Sequence, residues 1–200
     1  MRATAKEGAY LRANARIEWW LLAAALIVLG AAAPQAEGAE SSRHGFAGIA
    51  SNAVGPFLVL GELSLLAGGD AGEDRMMEGA KVVVATSLLT QVLKYTVRDE
   101  RPRTGTPTGF PSGHASMAFA MATVVADHQP EYAWPAYAVA GTIAWSRVEV
   151  RAHDWKQVAA GAALGYYTAK YFTGRSTAVN GLASQGIAIS PGGIGYQWTW

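Results

Sequence analysis

Two histidines each stand at the mouth of an apolar segment, His114 in "FPSGHASM" and His153 in "HDWKQVAAG". Side chains that bind oxygen anions stand in or near the same stretches: Lys94 and Arg101 in "KYTVRDERP", Ser112 two residues before the first histidine, and Arg147 in "SRVEVRAHDWKQ", six residues before the second. Taken singly, each has a bland reading. Lys94 and Arg101 resemble solvated cations near a helix C-terminus, where the dipole favours them. Pro111 and Ser112 are ordinary helix-start residues. Taken together, they are what phosphoryl transfer needs when no metal is present: cations for the equatorial oxygens, a nucleophile on one side and an acid on the other. Arg147 can make bidentate bonds to a phosphoryl group. Gly113 lets the backbone approach a ligand closely, and a helix starting there points its first N–H groups at an anion. The chain has no cysteine, which excludes thiol nucleophiles and thiolate metal sites, and no carboxylate cluster suggests a metal.

The order and spacing of these residues are specific. Lys94 is followed after six residues by Arg101-Pro102, then comes Pro111-Ser112-Gly113-His114, then Ser146-Arg147, five residues and His153. This resembles the tripartite signature of the type 2 phosphatidic acid phosphatase superfamily, which includes bacterial acid phosphatases, lipid phosphate phosphatases, glucose-6-phosphatase and vanadium haloperoxidases. The resemblance implies that His153 attacks phosphorus and becomes phosphohistidine, and that His114 protonates the leaving oxygen and later activates water. It implies that Lys94, Arg101, Ser112, the Gly113 N–H and Arg147 hold the phosphoryl oxygens, that no cofactor or metal is needed, and that vanadate could occupy the same cradle.

One position departs from the pattern. Where the family has an aspartate four residues after the nucleophile, this chain has Gln157. An amide oxygen one turn past His153 can fix the imidazole tautomer, but it cannot offset an imidazolium charge as a carboxylate does. Asp154 and Glu149 are possible substitutes from sequence, although Asp154, the next residue after His153, points about a quarter-turn away on a helix. Gln157 therefore leaves two readings open, an active phosphatase and a weakened chain that binds phosphate or a lipid headgroup.

These residues must be positioned by helices. Residues 81–97, "KVVVATSLLTQVLKYTV", read as a helix ended by Pro102, with Lys94 and Arg101 two turns apart on one face. Residues 114–128, 134–148 and 156–172 read as three more apolar helices, and an earlier apolar segment, "PFLVLGELSLLAGG", is interrupted by Gly61 and Glu62. The fold class is all-α, a helical bundle of the acid phosphatase/haloperoxidase type. Its Ala and Gly content suggests close helix packing. The apolar runs fit either a buried bundle or short membrane spans.

Residues 1–36 read as a signal peptide or membrane anchor. Arg2, Lys6, Arg12 and Arg16 precede an apolar run from Trp19 to Ala33. Pro34 follows directly, which disfavours cleavage, yet about 15 apolar residues fall short of the roughly 20 that span a bilayer. A buried N-terminal helix is the bland alternative. Residues 34–42 read as a linker, residues 37–175 as the phosphatase domain, and residues 176–200 as a tail whose alternating Ile194, Tyr196, Trp198 and Trp200 suggest a hairpin.

Half of the 200 residues are apolar, 16% are charged and the net charge is +1, so no basic footprint for nucleic acid exists and any anion site is local. The expected partners are a phosphorylated small molecule or lipid and a membrane; the oligomeric state is not fixed by sequence. The expected location is a bacterial-type cell envelope, membrane-anchored or periplasmic. A haloperoxidase is a third reading, disfavoured by the short chain. Arg151 and Trp155, next to the nucleophile, are candidates to shape the substrate pocket.

Overall fold

The computed structural model describes residues 45–67, 69–184, 187–190 and 193–196. The expected signal or anchor segment and the whole of the expected linker lie outside the described residues. Six α-helices follow in order: α1 (Phe46–Ser51), α2 (Val54–Leu66), α3 (Gly72–Val97), α4 (Gly113–His128), α5 (Ala133–Glu149) and α6 (Trp155–Ser184). Short 3-10 turns, Gly69–Ala71 and Pro130–Tyr132, lead into α3 and α5. The described residues are all-α apart from two four-residue strands, β1 (Ile187–Ser190) and β2 (Gly193–Tyr196), paired antiparallel with Ile187 opposite Tyr196. The hairpin follows the alternation of apolar residues in the sequence on either side of Pro191-Gly192-Gly193.

Helix α4 is the centre. Its residues from Ala115 to Met121 are buried but for Phe119, and burial continues through Val125. A helix apolar all round belongs inside a bundle. It packs most extensively against α6 and α5, and also against α2 and α3. The core is Leu58 and Leu65 of α2, Val82 of α3, Ala118, Met121 and Val124 of α4, Ala140 and Ile143 of α5, and Ala169 of α6.

Small residues set the closest approaches. A Cβ on Gly161 of α6 would lie 2.5 Å from the Ser112 carbonyl oxygen, and one on Gly165 would collide with the Ser116 carbonyl. The "GAALG" stripe therefore brings the backbones of α6 and α4 together beside both histidines.

Four boundaries differ from the sequence expectation. Gly61 and Glu62 do not break α2, because Met121 packs where a Gly61 side chain would stand, 2.5 Å from Sδ to an added Cβ. Helix α3 begins at Gly72, nine residues before Lys81, with Glu73 and Asp74 favourably placed in its first turn. It ends at Val97 because Arg98 adopts a left-handed conformation (φ 51°), before Pro102 can act. Arg101 is therefore in the following loop, not two turns from Lys94 on a helical face. Finally, α6 continues to Ser184, twelve residues past the expected helix end at Phe172; those residues include no proline, and Gly174 and Gly181 each cost a helix only about 1 kcal/mol.

Candidate active site

The polar residues converge where the C-terminal end of α3, the N-terminus of α4 and the α5–α6 turn meet. Lys94, buried in the last turn of α3, donates from Nζ to the carbonyls of Thr108 (2.7 Å) and Pro111 (2.9 Å). An ammonium has three protons. Two tie the loop to α3 and one remains for a ligand. The loop itself is folded by Arg101 N–H to Thr106 C=O (3.0 Å), Gly105 N–H to Arg101 C=O (2.9 Å) and Gly109 N–H to Asp99 C=O (2.7 Å).

Ser112 is the extended N-cap of α4. Its backbone N–H donates to the Gln157 carbonyl (2.9 Å), and its carbonyl accepts the first helical bond, from Ser116 N–H (3.0 Å). The N–H groups of Gly113, His114 and Ala115 precede that first bond, as at every helix start. The usual use of an N-cap hydroxyl is to bond one of them. Here Ser112 Oγ makes no cap bond and is fully buried with no hydrogen-bond partner. A buried hydroxyl in that state costs on the order of 1–3 kcal/mol until something takes its bond. At Gly113 the nearest atom to an added Cβ is Thr90 Cγ2 at 3.7 Å, so no protein atom demands glycine there.

Arg147 is buried near the end of α5, and its guanidinium donates through Nη1 to Ser51 Oγ of α1. Its carbonyl accepts from Ala152 and His153 N–H, both at 3.0 Å. That double bond closes the turn between α5 and α6, with Arg151 left-handed (φ 55°) at its tip, and explains the five-residue spacing between Arg147 and His153.

His153 is 2% exposed. Its Nδ1 lies 2.9 Å from the Gly109 carbonyl and 2.9 Å from Gln157 Oε1. A carbonyl only accepts, so Nδ1 carries the proton and Nε2 keeps its lone pair. Burial, then Arg147 and Lys94, with a smaller effect of Arg101, push its pKa down to about 3, against a small opposing effect of the Gln157 bond. His114 is held well below the usual histidine range by burial, then by Arg147, His153, Arg101 and Lys94. Each histidine thus feels the same three cations. The three cations hold both imidazole pKa values down, and an anion entering among them raises both.

The PAP2 superfamily model matches residues 79–178, half of the chain and every residue of this cluster except Ser51. The chain belongs to the PAP2 superfamily. Among solved structures, this PAP2 chain is similar to the crystal structure of a transmembrane PAP2-type phosphatidylglycerolphosphate phosphatase from Bacillus subtilis. That likeness has a TM-score of 0.53 at 18% identity and covers 80% of this chain and 95% of that one, a likeness of fold. No curated protein matches the chain significantly.

Of the eight residues expected to form the site, Lys94 lies at the end of α3, Arg101 in the loop after it, Ser112, Gly113 and His114 at the start of α4, and Arg147, His153 and Gln157 around the α5–α6 turn. The unusual one, Gln157, is fully buried. Its Nε2 donates to Asp99 Oδ2 and to the Glu100 carbonyl, both at 2.8 Å. Two acceptors fix the amide orientation, so Oε1 faces His153. Neither substitute weighed from sequence takes part at the ring. Asp154 is the N-cap of α6: its Oδ1 accepts the Gln157 N–H (2.9 Å), and Oδ2 pairs with Lys156 (3.6 Å). Glu149 is exposed.

Sequence reasoning missed Ser51, Asp99 and Gly109. Ser51 is 96 residues from Arg147 in a segment with no motif. Asp99 stood in plain view between Lys94 and Arg101, but its partner is 58 residues away. Gly109 was the legible one, since a glycine three residues before Ser112 invites the question of what approaches it. Trp155 and Arg151 are exposed, at the rim and not in the buried cluster.

Proposed function

We propose that this PAP2 protein is a metal-independent phosphatase that hydrolyses lipid-linked phosphomonoesters or diphosphates through a phosphohistidine at His153. The observation that carries the reading is the His153 tautomer: Nδ1–H is held by two acceptors, which leaves the lone pair on Nε2, and the charges of Arg147, Lys94 and Arg101 act on the ring. Nε2 forms the N–P bond as the P–O bond to the leaving group breaks. The oxyanion leaving takes a proton from His114, which the bound phosphate's charge has helped to protonate. Water then attacks phosphorus, gives its proton to His114, and the N–P bond breaks to release phosphate. Lys94, Arg101, Arg147, Ser112 Oγ and the Gly113 N–H stabilise the charge on the equatorial oxygens in both steps.

The lipid preference rests on the surface. Among the described residues one helix, α3, is long and apolar enough to cross a bilayer. It exposes Leu88, Leu89, Val92 and Tyr95, and α2 exposes Val59, Leu60 and Leu63. Trp134, Trp145 and Trp155 are exposed as well, and tryptophan favours the membrane interface. These features support a membrane-associated enzyme of the cell envelope.

A second reading has one observation in its favour: the group on His153 Nδ1 is a neutral amide where the PAP2 pattern has a carboxylate, as expected of a cradle that binds without turnover. Phosphate release from the purified full-length protein in detergent separates the two, with phosphatidic acid, an isoprenyl diphosphate and a chromogenic monoester as substrates and His153→Ala as control. Release that His153→Ala abolishes supports the phosphatase. Binding of phosphate or vanadate with no release from any substrate supports the second reading.

A further inference from the structure

The side chain of Gln157 does not end the chain of hydrogen bonds that begins at His153. Its amide nitrogen meets the carboxylate of Asp99 at 2.8 Å, and Asp99 is partly buried in the loop after α3. Every atom in the sequence His153 Nδ1, Gln157 Oε1, Gln157 Nε2, Asp99 Oδ2 has its donor or acceptor role fixed by the other bonds in the cluster: Gly109 C=O at the ring and Glu100 C=O at the amide. We propose that Asp99 is the positioning carboxylate of this enzyme, acting on His153 through the Gln157 amide, so that the negative charge usual beside the nucleophile has been moved one amide outward and not lost. The proposal rests on the phosphatase reading above and deepens it.

The physical route is polarisation. When Nε2 of His153 bonds to phosphorus the ring becomes cationic, while its proton remains on Nδ1. An amide that donates to a carboxylate at one end is a better acceptor at the other, because its resonance shifts electron density from nitrogen to oxygen, and hydrogen bonds in series strengthen one another. No proton leaves the chain. Asp99 contributes its field across the amide and holds the amide plane against the ring.

The same amide also serves the fold, which the test must separate. Gln157 occupies the third position of α6, and its Oε1 lies 3.4 Å from the Asp154 N–H, the reciprocal half of a capping box. A purely structural network would lose stability on mutation and would not distinguish a charged neighbour from a neutral one of the same shape.

Asp99→Asn is that neutral neighbour, still able to accept from Gln157 Nε2. In the native background it is expected to lower kcat on the chromogenic monoester about tenfold, the size of the difference between a hydrogen bond to a charged group and one to a neutral group, with KM changed much less. Asp99→Glu should recover part of the loss. In the Gln157→Asp background the carboxylate contacts the ring directly and Asp99 is then a nearby like charge, so Asp99→Asn should raise kcat. Equal loss in both backgrounds, or no loss in the native one, overturns the relay. Should the native protein release no phosphate from any substrate, the phosphatase reading fails separately, and the relay is still read by NMR of the full-length protein. The His153 Nδ1 proton should move upfield on Asp99→Asn; an unmoved resonance overturns the proposal.

Discussion

Gly109 and Gln157 share one space: a Cβ on Gly109 would fall on the Gln157 amide nitrogen and lie 2.9 Å from its Cδ. Glutamine is one methylene longer than aspartate, and the extra length is accommodated where Gly109 has no side chain. Gly109→Ala is therefore expected to push the amide away from His153 and to lower kcat at least tenfold, with a loss of about 1–3 kcal/mol of stability from overpacking. Pairing it with Gln157→Asp, which withdraws the amide, should restore only part of the thermal midpoint, because the Glu100 carbonyl oxygen, 2.9 Å from the added Cβ, stays in place. Thermal unfolding and turnover of the single and double variants check both halves.

Gly113 should behave in the opposite way. No protein atom lies closer than 3.7 Å to its missing Cβ. Gly113→Ala should leave the fold intact or raise its stability by about 0.4–1 kcal/mol through a stiffer unfolded chain. Vanadate or phosphate should nonetheless bind more weakly, because the methyl stands where an oxygen must meet the backbone. A calorimetric titration beside a melting curve would separate the two effects.

Arg147 depends on Ser51, which receives its Nη1–H. Ser51→Ala removes a bond to a charged donor, about 1.5–3 kcal/mol, and is expected to raise KM roughly tenfold or more with a smaller change in kcat. Arg147→Lys, which keeps the charge and loses the planar fork, should cost considerably more. Steady-state kinetics on one monoester suffices.

Acid should weaken the unliganded fold. His153 titrates near 3 when folded and near 6.5 when unfolded, so below pH 6.5 the unfolded chain takes up a proton that the folded one refuses. Stability is then lost as pH falls from about 6.5 towards 3, by up to about 1.4 kcal/mol per pH unit, and His114 adds to it in the same direction. Bound vanadate should flatten the slope by raising both pKa values. Melting temperatures across pH 5–8, with and without vanadate and with His153→Asn for comparison, test the sign.

The helices were readable because their apolar runs are long and the breakers between them few; the motifs were readable because phosphoryl chemistry demands particular side chains at fixed places in a turn. What escaped was set by tertiary approach. Gly61 looks like a helix breaker until Met121 is known to pack on it, and Arg101 looks helical until Arg98 turns left-handed. Gln157 looked like a deficit because its second partner, Asp99, is 58 residues earlier in the chain, beyond any local pattern.

Gly161 and Gly165 hold α6 against the carbonyls of Ser112 and Ser116, close to both histidines. The gauge between His153 and His114 is thereby cut in main-chain atoms, which do not change when side chains do. Outward-facing positions such as Leu88, Val92, Tyr167 and Tyr171 can drift towards oil or water without disturbing it. One catalytic kernel can in this way be reclad for a bilayer or for an aqueous compartment while its chemistry stays in register.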